Sequence, residues 1–177
     1  MIIIRYLIST SMKQFTWPLY LYDFSDNNKD VSKGLYAYYD ASHASCPDTK
    51  RSTIGYIFYW NGCPISWCSK LHPYVTTSTN HSEYVAGSQC AKEASFLRNL
   101  CSELGLDVCP ITLFSDSSGA ISQAYNPGNR KSTKHVDLAD HYIREQVELR
   151  HIDVQFADTR NMIADILTKA LGRLLHS

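Results

Sequence analysis

The chain has 177 residues, a formal net charge of zero, 44% hydrophobic residues and 19% charged ones. That suits one domain with an appendage and a true apolar core, and it excludes wholesale disorder. A neutral chain has no long-range field for a polyanion, so a nucleic-acid partner would have to be met by a local basic patch.

The first stretch, MIIIRYLISTSMKQFTWPLYLY, is apolar in patches broken by Arg5 and Lys13. It has no basic n-region and no small-residue cleavage site, so it reads as neither signal peptide nor membrane span. A short helix and an extended piece are expected over residues 1–20. The polar run DFSDNNKDVSKG (23–34) reads as a linker. The domain boundary is placed there, with an N-terminal segment at 1–33 and the main domain at 34–177.

LYAYYD (35–40) is a strand that ends on an acid. IGYIFYWNGCPISWCSK (54–70) is two β-rich runs around Asn61-Gly62, a dipeptide suited to a type I′ turn, hence a hairpin. From Ser82 to Leu104, Cys90, Ala94, Leu97, Cys101 and Leu104 recur at helical spacing, with Thr79 or Asn80 as N-cap. A fourth strand, ITLFSD (111–116), again ends in Asp and is followed by a short helix at 117–125. KHVDLADHYIREQVELR (134–150) is helical, IDVQFAD (152–158) is a fifth strand, and NMIADILTKALGRLL (161–175) is a closing helix. This order predicts an α/β fold with a five-stranded mixed sheet, three antiparallel strands and then two parallel ones reached by crossovers, flanked by helices. Cys46, Cys63, Cys68, Cys90, Cys101 and Cys109 contain no C-x-x-C pair. They read as reduced thiols, several of them buried, in an intracellular protein.

Glu83 precedes Cys90 by seven residues, close to two turns, so it shares the sheet-facing azimuth at the stripe's end. Asp40 and Asp116 close two strands that this topology makes neighbours. Ligands of open α/β sheets sit at the carboxyl ends of strands where the order reverses, so all three acids can point into one crevice. Crowded carboxylates repel one another, and a hard cation such as Mg²⁺ relieves this.

At these residues the chain resembles a family. YYDASHAS, the stretch from DTKRSTIGYIFYW to TTSTNHSEYVA, LFSDSSGAI, STKHVDLADHYIRE and NMIADILTKAL resemble, over residues 34–171, the ribonuclease H domain of a copia-type LTR-retrotransposon Pol polyprotein. The resemblance implies the ribonuclease H-like fold and metal-dependent endonucleolytic hydrolysis of the RNA strand of an RNA/DNA hybrid during reverse transcription. It implies a four-acid site of Asp40, Glu83, Asp116 and Asp165 holding two Mg²⁺ ions, with Mn²⁺ as a substitute. Asp137 and Asp140 compete with Asp165 for the fourth place. The segment 1–33 resembles the end of a reverse transcriptase, which makes the chain a truncated Pol fragment with that polymerase domain as its natural partner. A cytoplasmic virus-like particle or the nucleus would be its place in an active element, with no membrane partner.

Phosphate contacts are expected from Lys50, Arg51, Lys70, His72, Arg130, Lys131, Lys134 and His135, and 2′-hydroxyl contacts from Ser42, Asn80 and Ser117. Tyr56, Tyr59, Trp60 and Trp67 read as packing residues. His81 reads as a helix-start residue with no role, with a substrate contact as the alternative, and ADTRNMIAD has no histidine, only Arg160. A retroviral-type integrase is disfavoured, because His151 stands where its glutamate would be and Glu83 precedes Asp116. The reading from a different class is an inactive relic or domesticated nucleic-acid-binding scaffold of the same fold.

Overall fold

A computed structural model describes residues 34–125 and 142–169. The segment 1–33, with its linker boundary, lies outside these residues. So do Asp137, Asp140, Arg130, Lys131, Lys134 and His135.

Strands β1 (Leu35–Ser42), β2 (Thr53–Trp60) and β3 (Cys63–Leu71) form an antiparallel meander, and β4 (Ile111–Ser115) and β5 (Ile152–Phe156) extend it in parallel. The order across the sheet is β3-β2-β1-β4-β5. The expected mixed sheet of five strands is therefore the observed one. Asn61 and Gly62 turn the hairpin with φ of 48° and 83°, the left-handed pair that a type I′ turn requires.

Helix α1 (Thr79–Glu103) packs on β1, β2 and β4. Its N-cap is Ser78 rather than Thr79 or Asn80. Ser78 is extended, and its hydroxyl accepts from the His81 N–H at 3.1 Å, reaching the third helical residue as a cap should. Every residue from Ser82 to Ser88 is buried, which is why that half of the helix is built from Ser, Ala, Val and Gly as well as Tyr84 and Glu83. Of the expected stripe, Cys90, Ala94 and Leu97 are buried, whereas Leu104 is 69% exposed at the helix end. Helix α2 (Ser118–Tyr125) follows β4, and its Ala120 N–H bonds the Ser117 hydroxyl, so Ser117 acts as its cap. Helix α3 is described over 142–148.

Several boundaries differ from the sequence reading: β1 runs two residues past Asp40 to Ser42, β4 stops one residue short of Asp116, and α1 starts at Thr79 rather than Ser82. β5 ends at Phe156, because the Asp158 side chain accepts from the Arg160 N–H and starts a 3-10 turn, Thr159–Asn161. The closing helix then begins only at Asp165, and its described part is one turn, α4 (Asp165–Thr168).

Alternation along the strands sends Tyr39, Ile54, Phe58 and Leu113 to the core under α1, and Val154 to the same core beside α2. All six cysteines are free thiols. Only Cys90 is fully buried, and Cys63 and Cys109 are exposed, so the expectation of several buried thiols holds for one. Among the described residues no helix is long and apolar enough to cross a membrane.

Candidate active site

β1 is paired on both sides, and its ladder with β4 ends at Tyr38 and Phe114. Beyond that point the edge of β1 facing β4 is free of strand pairing. There the Ala41 N–H donates to Glu83 Oε2 at 3.1 Å, which ties the first turns of α1 to the strand. Asp40, one residue earlier, points to the sheet face away from α1. Asp116 lies one residue past β4 and accepts from the Thr159 hydroxyl at 2.9 Å. One carboxylate oxygen from each of Asp40, Glu83 and Asp116 lies within 4.8 Å of the others. The three acids read from the sequence as sharing a crevice are thus brought together.

The setting is hostile to three negative charges. Asp40 is 1% exposed and Glu83 5%, while Asp116 is half-buried. Burial first, then the charges of Asp40 and Asp116, push the Glu83 carboxyl up to about 9. Burial also raises Asp40, against the pull of Thr168 and Lys169. Three close all-oxygen donors, Asp40 and Glu83 of them buried and raised, fit a hard divalent cation.

Asp165 is not part of this trio. It reaches Asp40 through Lys169, whose ammonium lies 2.7 Å from Asp165 Oδ1 and 3.5 Å from Asp40 Oδ2. The Thr168 hydroxyl donates to the same Asp40 oxygen. The row of paired residues Asp40, Gly55 and Ser69 forms the seat for α4. Ser69 donates its hydroxyl to the Leu167 carbonyl at 2.5 Å. A Cβ on Gly55 would stand 2.7 Å from Thr168 Cγ2 and 2.8 Å from Leu167 Cβ, so glycine there is what lets α4 lie against the sheet.

Sequence reading did not single out Gly55, Ser69, Thr159, Thr168 or Lys169. Two signals were present. A glycine inside a strand marks a close approach, and Thr168 and Lys169 follow Asp165 at the spacing of one helical turn.

The basic candidates fall into two groups. Lys50 and Arg51 lie in the β1–β2 loop, and Lys70 is paired with Ile54 near the end of β3, all at the acids' end of the sheet. That loop is tied down by a chain of bonds from Ser52 to Thr76 (2.6 Å) and from Thr76 to His43 (3.1 Å). Lys70 reaches Gln89 at 3.3 Å. His72 is only 3% exposed, bonds the Tyr74 carbonyl and packs edge-on against the Tyr74 ring. It is a packing residue, not a phosphate contact, because the chain folds back over it straight after β3.

Of the 2′-hydroxyl candidates, Ser42 ends β1 and Ser117 is spent as a cap. Asn80 donates its amide to Gln123 across α1 and α2 at 3.2 Å. His81 accepts from the Thr77 hydroxyl at 3.1 Å or donates to it, as its tautomer dictates. Arg160 is paired with Asp158 at 3.0 Å. Tyr56 is buried and Tyr59 and Trp60 are half-buried, as packing residues should be, but Trp67 is 58% exposed on the edge strand.

No protein-family model matches the chain. It is 37% identical over 139 residues to the Retrovirus-related Pol polyprotein from transposon TNT 1-94 of Nicotiana tabacum, covering 78% of this chain and 10% of the relative. It is 35% identical over 160 residues to that from transposon RE2 of Arabidopsis thaliana, covering 88% of this chain and 11% of the relative. The chain therefore spans about a tenth of the length of these relatives. LC11-RNase H1 in complex with RNA/DNA hybrid superposes with a TM-score of 0.54 at 16% identity, covering 76% of this chain and 93% of that one. The foamy viral protease-reverse transcriptase in complex with RNA/DNA hybrid does so with a TM-score of 0.57 at 16% identity, covering 85% and 22%. These likenesses establish the fold as ribonuclease H-like.

Proposed function

From homology to a segment of retrotransposon Pol polyproteins, in a ribonuclease H-like fold, we propose that the chain is a metal-dependent ribonuclease that hydrolyses the RNA strand of an RNA/DNA hybrid. The observation that carries this reading is the convergence of Asp40, Glu83 and Asp116 on one point at the open end of the β1–β4 ladder.

Each of these acids has one oxygen held by the protein: Asp40 Oδ2 by Thr168, Glu83 Oε2 by the Ala41 N–H, and Asp116 Oδ2 by Thr159. Such bonds fix the carboxylate planes and leave the second oxygen of each for a ligand. The trio would hold a divalent cation, Mg²⁺ or its substitute Mn²⁺, which when bound supplies a water of lowered pKa and positive charge for the leaving oxygen. Two other features shape access. Asp116 is the most solvent-open of the three, so the scissile phosphate approaches from its side. Lys50, Arg51 and Lys70 meet flanking phosphates, which positions the duplex without reading its sequence. With so few contacts on a neutral chain, binding is weak and falls with salt. A polymerase domain of the parent polyprotein would raise the local concentration of hybrid.

The test is a labelled RNA/DNA hybrid beside DNA duplex of the same sequence, with Mg²⁺ and with EDTA. The RNA strand should be cut internally, only with the metal, and DNA spared. Equal cutting of both duplexes, or cutting in EDTA, would reject the assignment.

A further inference from the structure

Lys169 stands where the acid site would otherwise need more positive charge. It is the C-cap of α4, already extended (φ −123°, ψ 145°), and its backbone N–H bonds the Asp165 carbonyl. The side chain is thereby anchored at its root and spans Asp165 Oδ1 at 2.7 Å and Asp40 Oδ2 at 3.5 Å. Asp40 is almost fully enclosed while the Lys169 side chain is 38% exposed, so the ammonium closes the solvent side of Asp40.

With every carboxylate ionised, Lys169 already neutralises one of the four charges, beside Asp40 and Asp165. A second ion between Asp40 and Asp165 would have to displace both Lys169 and the Thr168 hydroxyl from Asp40 Oδ2.

We propose that Lys169 is the resident counter-cation of this site, taking the place of a second divalent ion between Asp40 and Asp165, so that the free protein loads one ion, on the Glu83–Asp116 side of Asp40. This revises the expected pair of ions, and it rests on reading the acid trio as a metal site. Lys169 is in this sense a positioning residue. It holds Asp40 and Asp165 together in the absence of metal and sets the metal count.

The experiment titrates Mn²⁺ into metal-free full-length protein, followed by isothermal calorimetry and by the spin-resonance signal of free Mn²⁺. The wild type and Lys169→Arg should bind one ion per chain. Lys169→Met and Lys169→Gln should bind two, with far-UV circular dichroism unchanged, and their melting temperatures should rise more on adding Mn²⁺ than that of the wild type, because a ligand that binds only the folded state stabilises it. Two ions on the wild type, or one on both neutral variants, would overturn the role of Lys169. No ion on the wild type would instead remove the metal-site reading itself. A chain that binds as described but leaves hybrid intact would overturn the proposed activity and not this assignment.

Discussion

On one face of the sheet, Tyr39, Phe58 and Leu113 lie beneath a helix of 25 residues; on the other, a helix of four residues rests on Ser69, Gly55 and Asp40. Alternate residues of the same strands make both faces, so the contrast belongs to the side chains, not the backbone. The α1 face is held by apolar burial, which is spread over many contacts and sums to a large term. On the α4 face apolar burial is confined to a few residues such as Leu167 and Ala164, and a few polar bonds and one close approach fix the helix, so it depends on single atoms. The acid site straddles the two. Glu83 arrives on the robust helix, and Asp165, Thr168 and Lys169 arrive on the fragile one. Substitutions on α1's face should therefore cost stability, and substitutions under α4 should cost chemistry.

The sharpest way to break this contrast is Gly55→Val. Its side chain would occupy the space of Thr168 and Leu167, lift α4 from the sheet and displace what it holds at Asp40. Hybrid cleavage should fall by roughly 100-fold, the scale of a misplacement of about 1 Å. The melting transition should stay cooperative, since the α1 core is untouched. Cleavage within a few-fold of wild type would show that α4 does not shape the site. The mirror experiment is Leu113→Ala, at a position with no solvent exposure. Chemical denaturation should show a loss of about 3 kcal/mol from cavity formation. Per folded molecule, cleavage should remain close to normal.

Thr168→Val is a gentler probe of the α4 face. It keeps the shape and removes the hydroxyl from Asp40 Oδ2. About tenfold lower cleavage is expected, the scale of one hydrogen bond to a charged group, with Thr168→Ser recovering most of it. If the serine variant stays as low as valine, the methyl contact rather than the hydroxyl matters.

A further probe of the contrast is pH. The folded Glu83 carboxyl titrates at about 9 against an ordinary 4.5, so the folded chain holds that proton more tightly than the unfolded one. Between those values the unfolded chain has shed the proton and the folded one retains it, so this group's contribution to stability declines as pH rises. In EDTA, the melting temperature should drop from pH 6 to pH 9 by more in wild type than in Glu83→Gln. Parallel profiles for the two proteins would mean that Glu83 is not held in a proton-retaining environment.

Much of this was legible along the chain because its causes are local. Asn61-Gly62 announces its turn, and Asp40 and Asp116, near the carboxyl ends of their strands, announce the crevice, since strand direction alone puts them at one rim. Glu83 is legible from its two-turn spacing to Cys90. What failed to show depends on distant partners. Nothing near Ser69 says that its hydroxyl will meet the Leu167 carbonyl, 98 positions later. Nothing near Thr168 says that it will meet Asp40, 128 positions earlier, because that meeting needs a bare Gly55 in another strand. Leu104 obeys the helical spacing yet is exposed, because periodicity gives a direction around the helix and not where the core stops along it.

Asp116→Asn probes most directly whether Asp40, Glu83 and Asp116 form one catalytic metal site. Asparagine keeps the shape, can still accept from Thr159, and removes one charge from the trio. Cleavage of labelled hybrid at saturating Mg²⁺ should fall below detection while the circular dichroism spectrum stays as in wild type. Wild-type cleavage by a correctly folded Asp116→Asn protein would rule out Asp116 as a ligand of a catalytic metal.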